Sequence, residues 1–455
     1  MNFSRFCAPA AFIMLFLTSS PVWAADFLEV YRQALASDPL LREADANRQV
    51  AMETRPQARS LLLPQLSFNA IRMDRAEEGT RPQFSVAGTS GFPTDDDHDR
   101  TILTLQLTQT VFRWDQWLSL RQADKIVSQA DVDYNSAEQD LVLRVAERYF
   151  NVLSARDELE SARGNKEAIA RQLEQSETRF EVGLIAITDV QESRAAYDQA
   201  VASEILAKRV LTNAHENLRE ITGAYAQDLE NPDTSLPLVL PEPADEEAWV
   251  KRGMEQNLNL LSSRLGVQIA KDSVKVQRAG HLPTLDLVAG REEFDLDGTS
   301  LDNLLRPTPL EGDTSTDRIE LRLNFPLYGG GRVSSQVREA VHQHSAARQR
   351  LERVARETER QTRDAYVGVA SDISTINALE KALESAETAL KATEAGFEVG
   401  TRTTVDVLDA RRDLLSARTN LERSRYDYII NLLRLKQAAG TLTEADVVEI
   451  NDWLN

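Results

Sequence analysis

Two acidic side chains in the second half of the chain are spaced so that they share one face of a helix. Asp406 and Asp409 are three residues apart, so both carboxylates fall on one face of the first turns of a helix. The simplest role for such carboxylates is to complement the positive N-terminus of their own helix. The spacing by itself favours this helix role and assigns no ligand to the pair.

Other reactive chemistry is sparse in this sequence. Cys7 is the only cysteine, and it lies in an N-terminal segment that we expect to be removed, which leaves no disulfide and no thiolate site. The closest histidines, His342 and His344, are two residues apart and so do not share a helix face. No nucleophile and base stand in a recognisable setting. The sequence therefore favours a protein that is not an enzyme and uses no metal or cofactor.

The N-terminus has the three parts of a secretory signal. Arg5 precedes an apolar stretch over residues 8–17, and Val22-Trp23-Ala24 follows as a cleavage site. The apolar stretch is about half the ~20 residues that a membrane-spanning helix requires. We predict a signal peptide over residues 1–24 and a mature chain that starts near Ala25.

Charge and hydropathy limit the possible partners. The chain has 52 Lys and Arg against 72 Asp and Glu, a formal net charge of −20, which argues against nucleic acid as a partner. Inside a passage such a charge would favour cations. No later segment approaches ~20 uninterrupted apolar residues, so any membrane crossing must use strands.

The chain contains two copies of one plan. Phe180-Glu181-Val182-Gly183 recurs 217 residues later as Phe397-Glu398-Val399-Gly400. Over the eleven residues 180–190, aligned with residues 397–407, six positions are identical. Each copy is predicted to read helix, strand, strand, long helix, turn, helix. The first repeat covers residues 25–239, with strands at about 64–75 and 100–112 and helices at 115–181 and 188–222. The second covers 240–455, with strands at about 282–294 and 317–328, helices at 332–398 and 404–439, and a C-terminal segment.

The long helices are predicted from an absence of proline and from a heptad pattern. No proline occurs between Pro93 and Pro232 or after Pro326, so both tracts can be helical throughout. In the first tract, small and apolar residues alternate spacings of four and three, as in a coiled-coil seam. The seam residues are Ala123, Val127, Ala130, Tyr134, Ala137 and Leu141, followed by Val145, Tyr149 and Val152.

The helical hairpins are predicted to end in tight turns. Gly183 and Gly400 stand where a helix would end in a left-handed residue, a conformation that glycine adopts without a side-chain clash. Thr188 with Gln191 forms a capping-box pattern for the next helix, and Thr403 or Thr404 would cap its counterpart.

The strands alternate apolar and polar residues, and polar segments rich in Gly, Pro, Asp and Thr join them. These segments, residues 76–99 and 295–316, are predicted to be long loops. Four strands cannot close a barrel, and an open sheet edge in lipid would leave backbone groups without partners. Subunits must therefore pool their strands. Eight strands leave an interior that side chains fill, so a passage argues for three or more subunits.

Four segments carry a resemblance to a known family. They are VYRQA at Val30–Ala34, LLLPQL at Leu61–Leu66, VGLIAITDV at Val182–Val190 and VGTRTTVDVLDA at Val399–Ala410. The chain resembles the TolC family of outer-membrane efflux and secretion channel proteins over essentially its whole mature length. The resemblance implies an α+β membrane protein, a homotrimer whose twelve-stranded outer-membrane barrel continues into a twelve-helix periplasmic tunnel of coiled-coil hairpins. It also implies an equatorial position for the C-terminal segment, and docking by a periplasmic adaptor and an inner-membrane transporter.

The same resemblance assigns roles to residues at the periplasmic tip. Asp406 and Asp409 match paired aspartates that ring the tunnel entrance and bind cations. Arg402, Asp189 and Thr188 match residues whose links between neighbouring hairpins hold the entrance closed. The family's lock also uses a tyrosine hydroxyl where this chain has Phe397, so that bond is not available to this protein.

The function expected from these features is a passive exit duct of an efflux pump or type I secretion system, opened at its periplasmic tip by docking. The alternative is a periplasmic coiled-coil adaptor or scaffold, which would share the long helices and the signal peptide. An adaptor would not need strands with a lipid-compatible face. The sequence does not identify the cargo, since selectivity for cargo lies largely in the transporter.

Overall fold

The chain folds into helices and antiparallel strands, an α+β architecture. The computed structural model describes residues 26–85, 88–225, 229–230, 236–301 and 306–454. The predicted signal peptide, residues 1–24, lies outside these ranges. In chain order the elements are α1 (Phe27–Ser37), α2 (Pro39–Ser60), β1 (Gln65–Ser85), β2 (Gly88–Phe112), α3 (Trp114–Glu181), α4 (Ile187–Thr222), α5 (Glu246–Gln256), α6 (Leu258–Ala279), β3 (Thr284–Leu301), β4 (Pro307–Pro309), β5 (Gly312–Asn324), α7 (Arg332–Glu398), α8 (Thr404–Ala438) and α9 (Glu444–Leu454).

Two very long helices dominate the molecule. The 68 residues of α3 make it about 100 Å long at the usual rise per residue, and α7 has 67 residues. In its first part α3 is tied to α2 by Arg48 Nε and Asp131 Oδ1, 2.7 Å apart, and it also packs against α6. Further along, Lys166 Nζ lies 2.6 Å from Glu204 Oε2 of α4. Helices α3 and α4 form one hairpin, and α7 and α8 form the other.

The hydrophobic core lies midway along the long helices. Leu141, Val145 and Tyr149 of the predicted seam have no exposed surface. The Tyr149 ring contacts Phe27 of α1 and Phe150, and the Phe150 ring stacks on Tyr426 of α8 with centroids 5.6 Å apart. Such aromatic contacts stabilise beyond the area they bury. This cluster joins both hairpins to the N-terminal helix.

A buried ion pair fixes the start of α2 against α3. Asp38 is the N-cap residue of α2, and its Oδ2 accepts a hydrogen bond from the Leu41 N–H at 2.9 Å. The Arg144 guanidinium donates to both Asp38 carboxylate oxygens, at 3.0 and 2.7 Å. Burial by itself raises the pKa of Asp38, but the bonds from Arg144 and Leu41 outweigh it and hold this pKa below its usual value. The charge is thus compensated by a geometry that satisfies both oxygens.

The strands form one antiparallel sheet in the order β1-β2-β3-β5, and the short β4 pairs with the far end of β3. Register places Phe68 opposite Leu105 and Leu287 opposite Leu321, so apolar side chains line one face. Ile319, the most exposed of this row on β5, is 81% exposed. Within the described residues, β1 pairs only with β2 and β5 only with β3. Both outer edges of the sheet are therefore open in a single chain.

The two predicted long loops are wrong over much of their length. Strand β1 runs on to Ser85 and β2 begins at Gly88, so residues 76–85 and 88–99 are paired strands. Strand β3 likewise continues to Leu301, and β5 begins at Gly312 and ends at Asn324. Their polar composition does not prevent pairing, because an antiparallel partner satisfies the backbone groups whatever the side chains are.

The C-terminal segment forms α9, which packs on α1 and α8. The Leu28 N–H donates to Asn451 Oδ1 at 3.0 Å, and Lys436 Nζ lies 2.6 Å from Asp446 Oδ1. In the described part of the chain, no helix is both long enough and apolar enough to span a membrane.

Candidate functional site: the tips of the two helical hairpins

The first hairpin turns at Gly183. This residue has a φ of 74°, in the left-handed region, as predicted. Its N–H donates to the Phe180 carbonyl oxygen at 2.9 Å, and the Leu184 N–H donates to the Arg179 carbonyl oxygen at 2.9 Å. This is the Schellman arrangement, which satisfies the last carbonyls of α3 and requires a residue that tolerates positive φ. Leu184, at the tip itself, is 73% exposed.

The second hairpin repeats this turn at Gly400, where φ is 78°. The Gly400 N–H donates to the Phe397 carbonyl oxygen at 3.1 Å. The Gly396 carbonyl oxygen accepts from the N–H groups of Thr401 and Arg402, at 2.8 and 3.2 Å, and from Thr401 Oγ1 at 3.0 Å. Three donors therefore share one carbonyl oxygen in this turn. Both left-handed glycines that the repeat predicted are therefore confirmed.

The predicted cap of the first return helix is wrong. Helix α4 begins at Ile187 with Ala186 as its N-cap, so Thr188 lies inside the first turn. Asp189 completes the cap instead, because its Oδ2 accepts a hydrogen bond from the Ala186 N–H at 3.3 Å. The prediction from Thr188 is wrong because a carboxylate three residues after the N-cap can accept the hydrogen bond of the N-cap N–H, even when the N-cap residue has no hydroxyl.

The cap of the second return helix is Thr403, one of the two predicted residues. Its Oγ1 accepts from the Asp406 N–H at 3.3 Å, and Asp406 Oδ2 accepts from the Thr403 N–H at 2.8 Å and the hydroxyl at 2.9 Å. The backbone bond from Thr403, with help from its hydroxyl and from Arg402, holds the pKa of Asp406 below its usual value. Asp406 is therefore ionised over the physiological range and completes the capping box of its own helix.

Asp409 stands one turn further along α8 and is half exposed. Its Oδ1 lies 2.8 Å from Nη2 of Arg412, a neighbour on the same helix. Asp406 and Asp409 thus lie on the first turns of α8, as their spacing predicted, and each has a cationic or capping partner within the chain. An entrance ring made of symmetry-related copies of these carboxylates stays a prediction.

Arg402 packs on the end of its own hairpin. Its Nη1 lies 4.0 Å from Asp406 Oδ1, and its stem covers Gly396, where an added Cβ would be 2.8 Å from Arg402 Cγ. Within the described chain, the ion-pair partner of Arg402 is Asp406 and not Asp189, whose carboxylate caps α4. The predicted link of Arg402 to Asp189 and Thr188 concerns neighbouring hairpins and stays a prediction.

The tips also contain contacts that sequence reasoning missed. One is an ion pair across each hairpin: Arg194 Nη2 lies 2.8 Å from Glu177 Oε1, and Arg411 pairs with Glu394 in the second hairpin. These two pairs are related by the 217-residue repeat, so aligning the halves beyond the glycines would have revealed them. A second is the Arg179 guanidinium, which lies over the Phe397 ring at 4.8 Å from its centroid.

The described residues contain no group of three or more His, Cys, Asp or Glu side chains arranged to hold a metal ion. What the tips present instead is a pair of hydrogen-bonded turns with exposed apolar residues at their ends and charged residues just behind.

Comparison with known proteins places this arrangement in a family context. The family model described as outer membrane efflux protein matches the chain twice, over residues 30–224 and 249–441. The outer membrane protein TolC of Vibrio cholerae is 40% identical over 438 residues, covering 96% of this chain and 95% of its own length. TolC of Escherichia coli is 38% identical over 444 residues, covering 96% and 86%. The alkaline protease secretion protein AprF of Pseudomonas aeruginosa is 30% identical over 437 residues, covering 95% and 88%.

Solved structures share the fold at lower identity. The Campylobacter jejuni CmeC outer membrane channel superposes with a TM-score of 0.73 at 17% identity, covering 99% of this chain and 97% of that one. The outer membrane protein VceC of Vibrio cholerae gives a TM-score of 0.71 at 19% identity, covering 91% and 96%.

Proposed function

The chain belongs to the outer membrane efflux protein family and is an outer-membrane channel protein, and from that premise we propose that three copies form one passive exit duct, gated at the hairpin tips. In this proposal the duct serves an efflux pump or a type I secretion system and performs no catalysis of its own. A periplasmic adaptor and an inner-membrane transporter open it by docking at the tips. The family description, outer membrane efflux protein, supports the first kind of system, and the secretion relative AprF supports the second.

The sheet is the observation that carries this proposal. Its two outer strands, β1 and β5, each pair on one side only within the described chain. An edge strand with free backbone groups cannot lie in lipid, so β1 of one subunit must pair with β5 of the next. Three subunits contribute their long strands to a closed twelve-stranded barrel, and the exposed apolar row that includes Leu321 faces lipid. An adaptor or scaffold has no use for such a face.

The first experiment tests assembly and location. The mature protein should fractionate with the outer membrane and give a detergent-stable trimer on chemical crosslinking. Leu321→Lys puts a charge on the proposed lipid face, where it costs about 2–4 kcal/mol near the bilayer centre, and should reduce the trimer in the membrane. Asn324→Lys makes the same addition on the opposite face of the same strand and should be tolerated. A wild-type monomer in the soluble periplasmic extract would refute the proposal.

The second experiment tests the gate. In the closed trimer, Arg402 is proposed to bridge to Asp189 and Thr188 of a neighbouring hairpin, since a guanidinium offers paired donors to a carboxylate and a spare one to a hydroxyl. Arg402→Ser should raise the resting conductance in planar lipid bilayers, and adding Asp189→Ala should change it little further. Arg209→Ser, an exposed arginine on α4 away from the tip, is the control. Fully additive effects would show that the two residues are not partners.

A further inference from the structure

One contact in this chain joins the two hairpins directly at their tips. Arg179 lies in the last turn of α3, and Phe397 lies in the last turn of α7. The Arg179 guanidinium carbon is 4.8 Å from the centroid of the Phe397 ring. Both side chains are half-buried. This distance is well inside the ~6 Å within which a cation is attracted to an aromatic face.

The internal repeat makes this contact asymmetric. The residue that corresponds to Phe397 in the first repeat is Phe180, and the residue that corresponds to Arg179 in the second is Gly396. Glycine has no cation to offer, so the repeat-related contact cannot form. Phe180 is correspondingly 40% exposed. The contact of Arg179 with Phe397 therefore forms only when the two hairpins of one chain pack together, since each hairpin supplies one of the two residues.

The contact lies at the tip end of a groove between the hairpins. The groove has a volume of about 650 Å³, and Arg179, Phe397, Glu394 and Arg411 are among the residues that line it. Glu394 and Arg411 pair with each other within the second hairpin and can stay paired when that hairpin moves as a unit. The Arg179–Phe397 contact cannot, because its partners belong to different hairpins. Any motion that separates the tips along this groove must break it.

We propose that Arg179 and Phe397 form a latch within each subunit that holds the two hairpin tips together in the closed channel. The proposal rests on the gated duct proposed above and adds a residue pair to its closing machinery. A solvent-accessible cation–π contact shifts an equilibrium by about two- to fivefold. Loss of the latch should therefore raise the ratio of open to closed tips by about that factor in each subunit.

The latch is tested with substitutions that remove one property at a time. Phe397→Leu keeps an apolar side chain but loses the aromatic face, and Arg179→Gln keeps polarity and reach but loses the charge. Phe397→Tyr and Arg179→Lys preserve ring and charge. Phe180→Leu, the same change at the repeat-related position, is the matched control. Each variant trimer is measured in two ways: resting conductance in planar bilayers, and hydrogen exchange of the tip amides over residues 180–185 and 397–402 in detergent.

The latch predicts a specific pattern. Phe397→Leu and Arg179→Gln should each raise resting conductance and tip exchange by at least about twofold, and the double variant should add little to either single one. Arg179→Lys and Phe180→Leu should resemble the wild type. Phe397→Tyr keeps the aromatic ring and adds the hydroxyl of the family's lock, so it should hold the tips at least as closed as the wild type. The latch is refuted if Phe397→Leu affects the tips no more than Phe180→Leu, or if the two single effects simply add. If the wild-type trimer forms no channel, the proposed gated duct is refuted. Hydrogen exchange of the tip amides then still tests whether the Arg179–Phe397 latch exists.

Discussion

Gly396 in the last turn of α7 offers a way to move Arg402 without changing any charge. A Cβ at Gly396 would lie 2.8 Å from Arg402 Cγ and 3.2 Å from Thr401 Oγ1. Contacting carbon atoms are normally about 3.5–4.0 Å apart, so Gly396→Ala must displace the stem of Arg402. The displaced guanidinium would leave its position 4.0 Å from Asp406.

The energetic consequences of this substitution oppose one another. Alanine in a helix is favoured over glycine by about 1 kcal/mol, whereas an added carbon at a close-packed site costs about 1–3 kcal/mol. The Arg402 side chain is 59% exposed and can swing into solvent, which keeps the cost near the lower end of this range, about 1 kcal/mol. We expect the two effects nearly to cancel. Gly164→Ala in the interior of α3 is the control, since a Cβ there meets nothing within 4 Å and should stabilise by about 1 kcal/mol.

Two assays on purified trimers separate the effects. The melting temperature should rise for Gly164→Ala and stay near that of the wild type for Gly396→Ala. Single-channel recording in planar bilayers should show a raised resting conductance for Gly396→Ala only, because the displaced Arg402 would no longer reach its proposed partners, Asp189 and Thr188 of a neighbouring hairpin. If Gly396→Ala stabilises the trimer as much as Gly164→Ala and leaves the conductance unchanged, Gly396 does not position the gate arginine.

Three further outcomes are expected. Gly183→Ala and Gly400→Ala should each destabilise the hairpin tips by about 1–2 kcal/mol, since both residues have positive φ, and this should appear as faster amide exchange at the mutated tip alone. Replacing both Asp406 and Asp409 with alanine should abolish block by a trivalent hexammine cation added on the periplasmic side; unchanged block would remove these residues from the entrance. Burial raises the pKa of the Asp157 carboxyl, so stability from this group is present at low pH and is lost as pH rises through the raised pKa. The melting temperature of Asp157→Asn should therefore rise relative to that of the wild type as pH increases from acid to neutral. A constant difference between the two melting temperatures across this pH range would contradict the raised pKa of Asp157.

The sequence predicted the helices well because their signals are local. Absence of proline, heptad spacing and a glycine at each turn act within a few residues, and they correctly indicated long helices that end near Gly183 and Gly400. The repeat added a check, since each half supports the other. The predicted cap at Thr403 is confirmed for the same reason: its partner, Asp406, is three residues away.

The predictions that are wrong were made from residue type alone, without knowledge of which backbone groups pair. The polar segments of the sheet were assigned to loops because Gly, Pro and Asp favour turns, yet their backbones are paired with the adjacent strand. Thr188 was assigned as a cap from its residue type, although Asp189 takes that role through the Ala186 N–H.

What the sequence by itself determined is therefore the set of elements, their tandem order and the turns that end them, all of which depend on neighbours a few positions apart. Only the tertiary structure decided which residues meet across hairpins. The paired hydrogen bonds from Arg144 to the Asp38 carboxylate join residues 106 positions apart, and the Arg179–Phe397 contact joins residues from different repeats. No periodicity encodes such pairs, because they depend on how two helices more than 60 residues long are set side by side, and that is fixed by packing around the shared core of Tyr149 and its aromatic neighbours.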